Sequence, residues 1–202
     1  MTTVNAPRRS HRTRSTAETS IEVSLDLDGS GITSIATGIP FYDHMLDQLG
    51  RHGGFDLVVK ADGDIHIDAH HTVEDTAIVL GQALAEAWGD KAGVRRFASG
   101  LYPLDEALVE VALDLSGRPY FVWDVELPEA IPLGMPPFDP SLAEHALQSL
   151  ATAAGITLHV TLKRGHNVHH IIEASFKGVA RCLRDAVRVD YGAGIPSTKG
   201  SL

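Results

Sequence analysis

Six histidines and two glutamates recur in this chain in duplicated order. The first copy is His44, His70, His71 and Glu74; the second is His145, His169, His170 and Glu173, and each ends in the run His-His-x-x-Glu. Neutral imidazole and carboxylate oxygen are the usual non-thiolate ligands of transition-metal ions, so a pair of related metal sites is the chemistry these residues could perform. On a helix, adjacent residues diverge by about 100°. His70 and His71 therefore cannot both reach one ion, and each adjacent pair should serve two different ions, with the glutamate one turn on joining one of its two histidines. Each ion would collect three imidazoles and one carboxylate from different segments or subunits, leaving open positions on an octahedral ion for water or substrate. The spacing leaves open which histidine belongs to which ion. One such run alone is an ordinary polar helix face; two in a repeated frame, each with an upstream histidine, favour metal.

The elements that must position these ligands are duplicated as well. Residues 21–29, IEVSLDLDG, match 109–117, VEVALDLSG; YDHMLDQL around His44 matches AEHALQSL around His145; TVEDTAIVLGQAL after His71 matches IIEASFKGVARCL after His170. The offset drifts from 88 to 101 to 99 residues, which places an insertion in the Pro-rich stretch Leu127 to Pro140. Alternation of Ile21, Val23, Leu25 and Leu27 with polar residues predicts a half-buried strand, and Ile32 to Ala36 a second after a glycine turn. Pro40 opens a helix to about Arg51 that Gly53 and Gly54 stop, Phe55 to Lys60 is a strand, and His71 to Trp88 carries apolar residues at helical spacing up to Gly89. The second half predicts strands near Phe97 to Leu101, Glu106 to Leu115 and Tyr120 to Glu126, a helix over Ser141 to Ala154, a strand over Ile156 to Lys163 and a helix over His169 to Val187. The expected fold is α+β, an internally duplicated βββαβα half, with sheets packed on amphipathic helices. The expected division is a first half 1–93, a second half 94–190 and a tail 191–202.

The chain has 202 residues, 44% of them hydrophobic, enough for a sizeable core. The single cysteine, Cys182, excludes an internal disulfide and thiolate-rich zinc sites, which fits a cytoplasmic protein. The N-terminus has no apolar signal core, and no run is long enough to span a bilayer. A formal charge of −9 argues against nucleic-acid or membrane partners, so an anionic ligand must be held by a local basic cluster.

FYDHMLDQLGRHGGFDL, DAHHTVEDTAIVLGQAL, LDLSGRPYFVWDV, NVHHIIEASFKGVARCL and YGAGIPSTKGSL together resemble the imidazoleglycerol-phosphate dehydratase family of histidine biosynthesis, from about Arg12 to the end of the chain. Gly178 and Leu104 depart from the family pattern, where Ala and Met are expected, and neither is a proposed ligand. No phosphatase segment accompanies the motifs, so the monofunctional form is expected. The resemblance implies two four-stranded sheets with helices sandwiched between them (ribosomal protein S5 domain 2-like), and a homo-oligomer of 24 subunits with manganese(II) sites between subunits, two ions per active site.

The implied reaction eliminates water from D-erythro-imidazole glycerol phosphate to give imidazole acetol phosphate. The proton to be lost lies on a carbon with no adjacent carbonyl, so enolate stabilisation is not at hand. A metal on the substrate's imidazole acidifies the other ring N–H, and the ring can then expel the neighbouring hydroxyl. A positioned carboxylate takes the carbon proton. By resemblance that carboxylate is Glu18, with Glu173 second and Asp105 third. The resemblance also assigns the phosphate to Arg96, Arg118, Lys177, Ser197 and Lys199, with Gln48 nearby, and the tail closes the substrate site; His52 is a further substrate neighbour. Two other readings of the ligand set are a metal-dependent hydrolase and a non-catalytic metal-binding or shell-forming protein.

Overall fold

The computed structural model describes residues 7–128, 131–190 and 194–199. Of the expected tail, residues 191–193 and 200–202 lie outside the described residues, as do 129 and 130 of the Pro-rich stretch. Twelve elements follow one another: β1 (Arg9–Ser15), β2 (Thr19–Asp26), β3 (Thr33–Ala36), α1 (Pro40–Gly53), β4 (Asp56–Gly63), α2 (His70–Trp88), β5 (Phe97–Leu104), β6 (Ala107–Asp114), β7 (Tyr120–Asp124), α3 (Leu142–Ala154), β8 (Thr157–Arg164) and α4 (Val168–Ala186). Each half is βββαβα.

The two sheets have the same plan. One runs β1-β2-β4-β3 and the other β5-β6-β8-β7. In each, the first three strands are antiparallel and the last is parallel to its neighbour, a pairing made possible by the helix that crosses between them. The alternation in β2 buries Ile21, Val23 and Leu25 against the helices and leaves Glu22 and Ser24 outward. β6 repeats this with Ala107, Val109, Val111 and Leu113. Burying each such aliphatic side chain contributes about 1.5–3 kcal/mol.

The helices lie between the sheets and pair across the duplication: α2 packs on α3, and α1 on α4. The first contact is close because Gly81 of α2 lies against the α3 backbone, where a Cβ would stand 2.6 Å from the Leu150 carbonyl oxygen. α1 ends as its glycines predict and α3 ends in the same way, with Gly54 (φ 71°) and Gly155 (φ 67°) in the left-handed conformation, their N–H groups returned to the last turn. The Pro-rich insertion is fastened by Phe138, fully buried against Phe41 and Tyr42 of α1.

Several strands differ from expectation; β4 runs three residues beyond Lys60, to Gly63, and β7 stops at Asp124. β1, RSHRTRS, has no apolar alternation and buries only Ser10; it is an edge strand held by its ladder to β2. β5 runs three residues beyond Leu101, through Pro103, which an edge strand tolerates, into a tight turn where Asp105 has φ 48°. The departures from the family pattern also have an explanation at Gly178: a Cβ there would meet the Tyr102 ring at 2.7 Å and Val111 at 2.6 Å.

Candidate metal centre

The cross-paired helices bring the duplicated ligands into two sets. His44 of α1 meets His169 and Glu173 of α4, and His70 and Glu74 of α2 meet His145 of α3; within each set the donor atoms lie within 4.8 Å of one another. In the first, Glu173 Oε2 is 3.2 Å from His44 Nε2 and 2.9 Å from His169 Nε2. In the second, His145 Nε2 is 3.4 Å from Glu74 Oε1, yet this buried nitrogen has no hydrogen-bond partner. An imidazole lone pair buried beside a carboxylate oxygen without hydrogen-bond alignment is the arrangement of two ligands of one cation, since cis ligands with bonds of about 2.1 Å stand about 3 Å apart. Two imidazoles and one carboxylate suit a divalent transition metal.

His71 and His170 belong to neither set. Their rings stand at 90° and 84° to those of His70 and His169, with centroids 6.0 Å apart in both pairs, so adjacent histidines do diverge. His71 Nδ1 lies 3.0 Å from Asp64 Oδ2, and His170 Nδ1 lies 2.7 Å from Glu106 Oε2. These hydrogen bonds raise both histidines above the ordinary imidazole range. Glu106 is pulled down to about 2, first by the His170 bond and then by the backbone N–H of Asn167.

Glu173 is nearly buried. Burial alone would raise its pKa, but Lys177 at 2.6 Å from Oε1, followed by His44 and His169, brings it down to about 2. Lys177 thus sits directly behind the first set. Gln48 hydrogen-bonds His52 Nε2 through Oε1 at 3.1 Å, with its amide 3.4 Å from His44 Nδ1. Burial, then Lys177 and Arg181, push His52 below the usual range. An open cavity of about 530 Å³ adjoins His70, walled by Ile65, Ile67, Pro132, Pro137 and Ser141.

The expected acid–base residues separate. Glu18, in the β1–β2 turn, has its carboxylate half exposed and 3.8 Å from His71 Nδ1. Asp105 is 76% exposed and 3.8 Å from His170 Nε2. Its neighbour Glu106, not singled out from the sequence, makes the close contact instead. A signal was present: Glu106 lies 88 residues after Glu18, the offset that relates IEVSLDLDG to VEVALDLSG.

The remaining basic residues lie elsewhere. Arg96 grips Asp114 with two hydrogen bonds of 2.7 and 3.1 Å and donates to the Pro196 carbonyl at 2.8 Å, which docks the tail carrying Ser197 and Lys199. Arg118 closes a turn on Ser116, two residues beyond Asp114 in the chain. This group is at the C-terminal end of α4, since the Arg96 N–H donates to Ala186 O. Glu173 is thirteen residues earlier on α4, about 20 Å along the axis.

A duplicated α+β protein that presents two His₂Glu sets, each across a helix pair, is the class these features define. A sequence profile described as Imidazoleglycerol-phosphate dehydratase matches residues 37–183. The relative of that name from Parafrankia sp. (strain EAN1pec) is 57% identical over 190 residues, covering 94% of this chain and 96% of its own. That from Dinoroseobacter shibae is 58% identical over 197 residues, covering 96% and 100%. Among solved structures, the dehydratase of Staphylococcus aureus superposes with a TM-score of 0.80 at 35% identity over 90% of this chain and 99% of that one. That of Pyrococcus furiosus gives 0.81 at 35% over 95% and 100%. The chain belongs to the imidazoleglycerol-phosphate dehydratase family, and it is a dehydratase, a hydro-lyase. No helix among the described residues is long and apolar enough to cross a membrane.

Proposed function

We propose that the protein is a manganese-dependent, cytoplasmic dehydratase that converts D-erythro-imidazole glycerol phosphate into imidazole acetol phosphate in histidine biosynthesis, with two manganese(II) ions per active site. The observation that carries this reading is the pair of His₂Glu sets, each accompanied by one more imidazole turned away from the set on the same helix. His44, His169 and Glu173 would hold one ion, and His70, Glu74 and His145 the other. His71 or His170 from a second copy would complete each set at three imidazoles and a carboxylate. Such an ion supplies Lewis acidity that makes an azole N–H far more acidic.

The chain's own residues do the rest. Glu18 stands half exposed beside His71, its carboxylate accepting no hydrogen bond from the described residues, and takes the carbon proton. Lys177 pairs with the buried Glu173 at 2.6 Å and, beside the first set, offers the substrate's phosphate a further donor. Gln48 and His52 line the approach to His44, and Asp105 stands beside His170. Arg96, Arg118, Ser197 and Lys199 take the phosphate, which needs several donors.

The separation of about 20 Å along α4 supports an assembly. A substrate of this size cannot reach both the metal sets and the Arg96 group of one chain, so one active site must draw them from different copies. The outward imidazoles point the same way. This supports a homo-oligomer with sites between subunits, for which the family resemblance implies 24 copies. Each set draws ligands from both halves, 1–93 and 94–190, and the tail closes the site. Incubating chelator-stripped protein with the substrate, with and without manganese, tests this: the ketone should form only with metal. Phosphate release or another hydrolysis product would favour a hydrolase, and no product with metal restored would refute the reading.

A further inference from the structure

The duplication places Glu18 and Glu106 in equivalent positions. β2 and β6 are each eight residues long and offset by 88, and the two glutamates immediately precede them. β4 and β8 are likewise each eight residues long and offset by 101, but a register shift opposite Leu108 and Val109 breaks that match at the end of β8. The contacts break this symmetry. In the second half Glu106 meets His170 Nδ1 at 2.7 Å, and its other oxygen accepts backbone N–H groups from His166 at 3.2 Å and Asn167 at 2.8 Å. It is fixed on three sides. In the first half Glu18 is 3.8 Å from His71 Nδ1, too far for a hydrogen bond, because Asp64 occupies that place at 3.0 Å with its side chain only 12% exposed.

The second half lacks the first half's solution. Between β8 and α4 stand only Gly165, His166 and Asn167, none of them a carboxylate. Nothing there takes the place of Asp64. Glu106 must therefore hold its own histidine, whereas Glu18 is relieved of that task.

We propose that Asp64 and Glu106, unrelated by the repeat, are the two positioning carboxylates of the outward histidines, and that the substitution of Asp64 for Glu18 in this role is what leaves Glu18 available for proton transfer. Each acceptor fixes the Nδ1–H tautomer and directs the Nε2 lone pair outward, where a ligand is needed. This rests on the metal reading above and explains why two equivalent glutamates have different duties.

The test is manganese binding to chelator-stripped protein by isothermal titration, with assembly size and far-ultraviolet circular dichroism measured on the same samples. Asp64→Ala and Glu106→Ala should each weaken binding at one class of site by about 10- to 100-fold. Asp64→Asn, whose amide oxygen still accepts the N–H, should recover most of that loss, and Glu106→Gln serves where Glu106→Ala does not fold. Glu18→Ala should leave the isotherm unchanged. The proposal is overturned if Glu18→Ala weakens binding as Glu106→Ala does, if Asp64→Ala binds as the unsubstituted protein does, or if Asp64→Asn loses as much as Asp64→Ala. Failure of the unsubstituted protein to bind manganese would refute the metal reading itself, so the two failures are distinguishable.

Discussion

Substituting Gly81 by alanine should damage one metal set from a distance. Helices α2 and α3 cross at this glycine, and the added Cβ would lie 2.6 Å from Leu150 O, 2.7 Å from Ala153 Cβ and 3.0 Å from Ala154 N. Two of these atoms are α3 backbone, so no side-chain rotation relieves the contact. Restoring a separation of about 3.5 Å requires the helices to part by about 1 Å. Alanine gains about 1 kcal/mol in intrinsic helix propensity, against about 1–3 kcal/mol for overpacking, so the net loss is up to about 2 kcal/mol. The larger consequence is geometric. Glu74 lies seven residues before Gly81, about 10 Å along α2, and His145 is on the helix being pushed away. A metal site tolerates errors of about 0.2 Å in its ligand distances. Manganese titration of chelator-stripped Gly81→Ala protein should therefore lose the site class of His70, Glu74 and His145 while retaining that of His44, His169 and Glu173, with a lower urea midpoint. Unchanged binding at both classes together with a raised midpoint would refute this reasoning.

Glu18→Gln should lower kcat by about 10²- to 10⁴-fold without altering manganese content; normal turnover in a kinetic assay would remove Glu18 from the proton transfer. Truncation after Gly194 removes the Pro196 carbonyl that Arg96 holds, together with Ser197 and Lys199, and should raise KM for the phosphorylated substrate much more than it lowers kcat. An unchanged KM would show that the tail does not touch the phosphate. Glu106 and Glu173 are both held at about 2 in the metal-free protein against an ordinary 4.5. Their contribution to stability is complete above pH 4.5 and is lost as pH falls towards 2. Urea midpoints measured across that window should fall, and less so in Glu106→Gln; an equal fall in the variant would place the sensitivity elsewhere.

Periodicity made much of the fold legible. The alternation in Ile21 to Leu27 and the repeated apolar spacing after His71 and His170 mark β2, α2 and α4, and the glycines at 54, 89 and 155 stand at the helix ends. β1 was not legible from its pattern because RSHRTRS is an edge strand whose stability comes from the β2 ladder rather than from an apolar face. The eight candidate imidazole and carboxylate ligands stand out from the duplication, and six of them form the two sets; the divergence of adjacent histidines follows from helix geometry alone. Their partition was not, because it depends on which helices cross: α1 meets α4 and α2 meets α3, a tertiary fact that no local spacing encodes. Asp64 was passed over for the same reason. It lies seven residues before His71 and reaches it only because the β4–α2 connection folds back.

Manganese-edge anomalous diffraction from crystals grown with a substrate analogue tests the central claim most directly. Two ions per chain are expected, one on His44, His169 and Glu173 and one on His70, Glu74 and His145, each completed by His71 or His170 from a neighbouring copy and bordering the analogue's azole ring. A single ion, or ions bound away from these histidines while the analogue occupies its site, would contradict it.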